Sequence, residues 1–69
     1  MTADQLREII ERKPFRPLAV TSVAGQIYRL EEERDCFTSP RRPELFVFFT
    51  SDGSMHTVEA AEVASITVL

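Results

Sequence analysis

The chain has 69 residues, eleven acidic and eight basic, and a formal net charge of −3. A chain of this length forms one domain, residues 1–69, and buries only about 60% of the surface that its unfolded form exposes. The single cysteine excludes an internal disulfide, and with only one histidine the chain cannot build a Cys/His structural zinc site. Self-association is the stabilising device that remains, and we expect no cofactor.

The N-terminus is polar and acidic, whereas a secretory signal peptide is basic and then apolar. No stretch approaches the roughly 20 apolar residues that span a bilayer. We therefore expect a cytoplasmic protein that does not enter membranes. The acidic balance disfavours nonspecific attraction to nucleic acid, so a nucleic-acid function would need a local basic patch.

The first predicted element is an amphipathic α-helix that begins near Ala3. Thr2 and Gln5 have the spacing of a capping box. Apolar residues then recur at the spacing of one helix face: Leu6, Ile9 and Ile10. This pattern predicts that one side of the helix is buried. Pro14 disfavours the helical conformation in the preceding residue, so we predict that the helix closes at Lys13.

After Pro14 the apolar period changes to two, which predicts short antiparallel strands joined by turns. The predicted strands are residues 15–21, 26–30, 36–38, 45–49, 55–59 and 64–69. Turns are predicted at 23–25, 39–43 and 51–54, a charged connection at 31–35, and a single helical turn at 60–63.

The strand at residues 45–49 is apolar on both faces, which is typical of a central strand. We expect the helix to cover one face, and a second sheet or a partner chain to cover the other. The predicted fold class is α+β: an N-terminal α-helix followed by a small, strongly bent antiparallel sheet or barrel of five or six strands.

The segment Pro14-Phe15-Arg16-Pro17-Leu18, together with the helix before it and the strand pattern after it, resembles small uncharacterised bacterial proteins of similar length. That resemblance implies a bacterial origin and no particular activity. The order of helix, strands, short helical turn and final strand is also similar to that of the Sm-like and SH3-like small barrels.

The Sm-like resemblance implies RNA binding through an aspartate, an asparagine and a stacking aromatic residue. The bacterial Sm-like RNA chaperone has, in addition to these groups, a Lys-His pair just before its final turn. This chain contains no asparagine, and Glu59 and Ala60 stand where that pair would be. Because an acidic residue repels phosphate, we do not expect uridine binding of the ring type.

Residues that could carry chemistry have structural interpretations as well. His56, Asp52 and a nearby hydroxyl could form a nucleophile-base-orienter set, but they straddle an exposed turn without an oxyanion-hole element. We interpret His56 as a strand-edge histidine exposed to water. Cys36 with His56 could supply half of a metal site or a thiolate pair, and we interpret Cys36 as a small buried apolar residue. We predict no catalytic residue and no metal ligand.

Positive charge is concentrated at two places. The candidate nucleic-acid-binding residues are Arg12, Lys13 and Arg16 near the end of the helix, and Arg41 and Arg42 in a turn. Arginine recognises phosphate in a bidentate manner. The competing interpretation is that these residues pair with the helix dipole and occupy solvated turns.

The preferred functional hypothesis is a non-catalytic binding or interaction module that associates with itself as a homodimer or small ring. It rests on apolar surface that one short helix cannot cover. The candidate self-association residues are Phe46, Phe48, Phe49, Val68 and Leu69. A nucleic-acid-binding regulator is the second hypothesis, and a small enzyme is the third.

Overall fold

The computed structural model describes all 69 residues. The regular elements are α1 (Ala3–Ile10), β1 (Leu18–Ser22), β2 (Ile27–Leu30), β3 (Cys36–Ser39), β4 (Arg42–Phe49), β5 (Met55–Glu59) and β6 (Val63–Val68). A first 3₁₀ turn, Glu33–Asp35, precedes β3, and a second, Ala60–Glu62, precedes β6. The predicted α+β class is confirmed. The chain holds no helix with the length and apolar character needed to cross a membrane.

The six strands form two three-stranded antiparallel sheets. In the first sheet β1 lies between β2 and β6, and in the second sheet β4 lies between β3 and β5. The central position predicted for residues 45–49 is confirmed, because they belong to β4. Backbone pairing does not continue from one sheet to the other, so the strands do not close into a barrel.

The start of α1 is the predicted capping box. The Gln5 N–H donates to Thr2 Oγ1 at 3.1 Å, and the Thr2 N–H donates to Gln5 Oε1 at 3.0 Å. Leu6 and Ile10 are buried, whereas Ile9 is half-buried. The two reciprocal bonds satisfy donors that the first helical turn leaves free, which explains why the helix begins where it does.

The end of α1 differs from the prediction, since the helix stops at Ile10 rather than at Lys13. The Glu11 N–H still bonds to a carbonyl four residues back. The Arg12 N–H instead bonds to the Ile9 carbonyl, three residues back, at 3.4 Å. The shorter bond tightens the last turn and ends the helix before Lys13, the residue whose conformation Pro14 restricts.

The core lies between the inner faces of the two sheets and α1. Its nine buried residues are all apolar: Leu6, Ile10, Leu18, Val20, Leu30, Phe46, Phe48, Ala60 and Val63. The helix packs against β4 and the second 3₁₀ turn. Both sheets and the helix therefore contribute to a single core, as expected of one domain.

The predicted hairpin turns contain the two glycines of the chain. Gly25, between β1 and β2, has φ +90°, and Gly53, between β4 and β5, has φ +86°. Only glycine adopts this region at no steric cost.

The predicted turn at residues 39–43 is shorter than expected, because Ser39 already pairs with Arg42 at the start of β4. Pro43 is tolerated there since pairing between β4 and β5 begins only at Leu45. The predicted charged connection at residues 31–35 contains the first 3₁₀ turn.

Candidate interaction surface and basic cavity

The side chains of β4 alternate between the core and the outside of the second sheet. Phe46 and Phe48 are completely buried, whereas Leu45, Val47 and Phe49 are half-buried on the opposite side. Successive side chains of a strand point to opposite faces, so a strand that is apolar throughout must present apolar groups outward. The helix and the first sheet cover only the inner face.

Neighbouring strands extend this outward surface. Phe37 of β3 pairs with Val47, and Met55 of β5 pairs with Phe49. The Phe37 and Phe49 rings lie edge to face, with centroids 6.0 Å apart. Phe37 is 48% exposed and Met55 is 63% exposed. We call the five residues Phe37, Leu45, Val47, Phe49 and Met55 the apolar face.

The outer side of the first sheet has a different character. According to the strand register it carries Ala19, Thr21, Ile27, Arg29, Ser65 and Thr67. Ile27 is the one large apolar residue in this set, and it is 70% exposed. Polar and charged groups make such a surface stable in water. Along the β5 edge of the apolar face, Thr57 lies opposite Val47 and Glu59 lies opposite Leu45.

The structure divides the predicted self-association residues among three places. Phe46 and Phe48 lie in the core of the single chain and are not available to a partner. Phe49 belongs to the apolar face. Val68 and Leu69 are exposed at the end of β6, in the other sheet. The other four residues of the apolar face were not among the predicted self-association residues, although the period of two in β4 places Leu45 and Val47 in phase with Phe49.

A cavity of about 320 Å³ lies between the end of α1 and the first sheet. Its lining residues are Ile9, Arg12, Lys13, Pro14, Phe15, Arg16, Leu18 and Val68. Half of them are hydrophobic, and three are cationic. We call this site the basic cavity. It gathers three of the five predicted basic residues, and Arg41 and Arg42 do not line it.

The cations of the basic cavity differ in their partners. Lys13 forms an ion pair with Glu33, and Arg12 Nη2 lies 3.9 Å from Glu8 Oε1. Arg16 has no carboxylate within ion-pair distance. The groups at Arg12, Lys13 and their partners are more than half exposed, so these pairs contribute little to stability.

At the other predicted basic focus, the Arg42 guanidinium donates to the Glu44 carboxylate at 2.7 Å. This hydrogen bond and the charge of Glu44 raise the pKa of Arg42, and the same hydrogen bond lowers the pKa of Glu44. Arg41 lies in the exposed turn before β4, where its N–H bonds to the Ser39 hydroxyl. The two predicted foci therefore do not form one continuous basic site.

His56 faces the inner side of the second sheet. Its ring stacks on Phe48 with centroids 5.2 Å apart and lies 4.7 Å from the Tyr28 ring. It is half-buried rather than freely exposed, because Tyr28 of the first sheet covers it. Asp52 makes its hydrogen bonds within the β4–β5 turn, so the structure does not assemble the imagined His56-Asp52 arrangement.

Cys36 lies on the same inner face as His56, but the two do not meet. Phe48 pairs with Cys36 on one side and with His56 on the other, which puts two strand spacings, about 10 Å, between them. Desolvation by burial, assisted by the charge of Asp35, raises the pKa of the Cys36 thiol to about 11. A thiol of this kind stays protonated at neutral pH and is a poor nucleophile.

The β4–β5 turn gives a prediction about pH. Asp52 accepts hydrogen bonds from the Thr50 hydroxyl and, at 3.0 Å, from the Ser54 N–H. These bonds lower the pKa of Asp52 from 3.8 to about 2, and the bond from Thr50 has the largest effect. Because the folded pKa is depressed, the stabilisation is complete above the unfolded pKa and is lost as pH falls from 3.8 to about 2. In Thr50→Val we expect the pKa of Asp52 to move back toward its ordinary value.

Carboxyl titration by NMR measures this shift directly. Thr57→Val is the matched control, since Thr57 is an exposed threonine on the neighbouring strand β5. The control should leave the pKa of Asp52 unchanged. An Asp52 pKa that is equally low in Thr50→Val would contradict the role given to the hydroxyl.

Two surface features therefore stand out, the apolar face and the basic cavity. They lie on different sheets and present different chemistry. Comparisons with models of protein families, with curated proteins and with solved structures gave no match. The functional interpretation follows from the geometry of the chain itself.

Proposed function

We propose that this protein is a non-catalytic interaction module that forms a homodimer through the apolar face. The observation that carries the proposal is the exposure of Phe37 and Met55 on a sheet surface that no element of the chain covers. The largest contiguous apolar patch on a soluble protein is often a functional surface. The separation of Cys36 from His56 gives the enzyme hypothesis no support.

The chemistry of the apolar face favours a second copy as its partner. The charged groups lie at one end of the face, where Glu59 pairs with Leu45 and interacts with the charge of Arg42, so the rest of the face matches an uncharged apolar surface. A second copy offers the same area and composition, and a two-fold axis covers both faces at once. Stacked sheets pack about 10 Å apart with interdigitating side chains, and the outward Phe37 and Met55 suit that arrangement.

The size of the apolar face predicts the strength of the dimer. Three strands about 4.8 Å apart, with about five residues each at about 3.3 Å per residue, span roughly 14 by 17 Å. A standard interface removes about 800 Å² from each partner. The total surface of the chain is 4543 Å². The face is thus smaller than a standard interface, and we expect a reversible dimer that dissociates at low concentration.

The experiment compares two exposed apolar residues on opposite sheets. Met55→Glu places a charge in the apolar face, and Ile27→Glu places the same charge on the first sheet at similar exposure. We expect sedimentation velocity to show the wild-type protein passing from monomer to dimer between micromolar and millimolar concentration. Met55→Glu should stay monomeric because its carboxylate would be desolvated in the interface, and Ile27→Glu should dimerise normally.

Several outcomes would contradict the proposal. A wild-type protein that remains monomeric over the whole range would remove it. Equal loss of dimer in Met55→Glu and Ile27→Glu would also contradict it.

The unpaired edges of β3 and β5 offer a different mode of dimerisation, in which strands of two copies pair edge to edge. That mode would leave the apolar face exposed, so a Met55→Glu protein that dimerises normally would favour it. Circular dichroism establishes that each variant is folded.

We rank the nucleic-acid hypothesis second. Its support is the convergence of Arg12, Lys13 and Arg16 at one cavity. Against it stand the net charge of −3 and the glutamate partners of Lys13 and Arg42.

The proposed relationship to the Sm-like and SH3-like small barrels is supported by the order of elements, with a 3₁₀ turn before the last strand.

A further inference from the structure

We infer that the basic cavity binds a small organic carboxylate, an anion with a compact aromatic or branched apolar body. The inference is independent of dimerisation, because the cavity belongs to α1 and the first sheet. In this arrangement Arg16 holds the carboxylate, and Ile9, Phe15 and Val68 contact the apolar body.

The volume and composition of the cavity favour a small amphipathic molecule. At about 320 Å³ it falls at the lower end of the range of ligand-binding pockets, roughly 300–1,000 Å³. Ile9, Phe15, Leu18 and Val68 supply apolar surface beside the cations. A nucleic-acid backbone presents phosphates and polar sugars to Ile9 and Val68, whereas a branched or aromatic carboxylate presents a wholly apolar body. The mixed lining therefore discriminates between these two kinds of anion.

The charge of the site indicates a single negative charge on the ligand. Glu33 pairs with Lys13, and Glu8 lies close to Arg12, so two of the three cations already face a carboxylate. Arg16 alone lacks one. One uncompensated guanidinium matches a monoanion, and its planar fork binds a carboxylate through two parallel hydrogen bonds. A phosphate monoester carries about −1.5 to −2 charges at neutral pH, more than the site can balance.

The walls of the cavity are fixed before a ligand arrives. Leu18 is buried in the core, and it pairs with Val68 in the β1–β6 ladder. Beyond that pair, the Leu69 N–H donates to the Pro17 carbonyl at 2.9 Å, which holds the end of β6 against the segment that carries Arg16. Apolar walls held by such contacts lose little entropy on binding.

Benzoate is the test ligand, and NMR chemical-shift titration of the full chain is the measurement. We expect shifts confined to residues 9–18 and the end of β6. Benzamide has the same body without the charge, and phenyl phosphate carries more charge. Both should bind at least about tenfold more weakly than benzoate, because each loses the match to the single free guanidinium.

Arg16→Gln tests the residue that holds the carboxylate and should weaken benzoate binding at least about tenfold. Arg41→Gln is the matched control, since Arg41 is also exposed and outside any ion pair but does not line the cavity. The control should bind benzoate like the wild type. Equal effects of the two substitutions would overturn the assignment of Arg16.

Other results would overturn the ligand class. Absence of localised shifts at millimolar benzoate would remove the site. Phenyl phosphate binding more tightly than benzoate would refute the single-charge argument. A single-stranded RNA oligonucleotide that shifts the same residues at lower concentration, with steep dependence on salt, would assign the cavity to nucleic acid instead.

Discussion

Replacing Phe48 with alanine should leave much of the protein unfolded at room temperature. Phe48 is completely buried, and its ring contacts Phe46, Tyr28 and His56 at centroid distances of 5.0–5.2 Å. Truncation of a buried phenylalanine costs about 3–5 kcal/mol. A single hydrophobic core in a chain of fewer than about 70–80 residues rarely supplies more than about 3–5 kcal/mol. The loss therefore approaches the whole free energy of unfolding.

Phe37→Ala is the matched control, because it removes the same side chain from the outer side of the same sheet. Phe37 is 48% exposed, so its truncation should cost about 1 kcal/mol or less. Urea denaturation followed by far-UV circular dichroism measures both variants. The experiment is run at low micromolar concentration, since dimerisation would add stability that depends on concentration. Equal destabilisation by the two substitutions would contradict the assignment of inner and outer faces.

The elements that the sequence predicts correctly are those defined by local signals. Thr2 and Gln5 form both bonds of the capping box, and the glycines of two hairpins adopt the left-handed region. The uninterrupted apolar run at residues 45–49 correctly indicates a strand that lies between two others, although the outer side of β4 stays uncovered in the single chain. Each of these features depends on residues a few positions apart, so the physical cause is contained in the segment itself.

The errors concern relations between distant segments. Alternation shows that Phe46 and Phe48 share one face and Phe49 the other, but only the docking of the helix and first sheet decides which face is buried. The early end of α1 is a local exception: the Arg12 N–H bonds to the carbonyl three residues back, and no single residue type signals this. Local patterns therefore identified β4 as the important strand without separating its core side from its outer side.

The two surface sites illustrate the same limit. The basic cavity requires Val68 to meet the segment after α1, and the pairing of β1 with β6 brings them together across most of the chain. The apolar face requires the β3–β4 and β4–β5 registers, which place Phe37 and Met55 beside Val47 and Phe49. The sequence contains the residues of both sites, and tertiary structure determines which of them are neighbours.

Leu6→Ala should be the most damaging truncation in α1. Leu6 is completely buried in the core shared with both sheets. Removing its side chain leaves a cavity and should cost about 2–5 kcal/mol. Because α1 has only eight residues, it is too short to persist as an isolated helix. Weaker docking should therefore lower the stability of helix and sheets together, in one cooperative transition.

Ile9→Ala is the control for this experiment, since Ile9 is half-buried and lies beside the basic cavity. It removes a similar aliphatic side chain from the next part of the same helix, and it should lower the urea midpoint less than Leu6→Ala does. Amide hydrogen exchange separates local from global effects, because cooperative loss lowers protection in β4 as well as in α1. If Leu6→Ala lowered protection in α1 alone, the helix would be an appendage to a sheet core that is stable without it. If Ile9→Ala were the more damaging change, the helix would dock through its other edge, and the basic cavity would belong to the core.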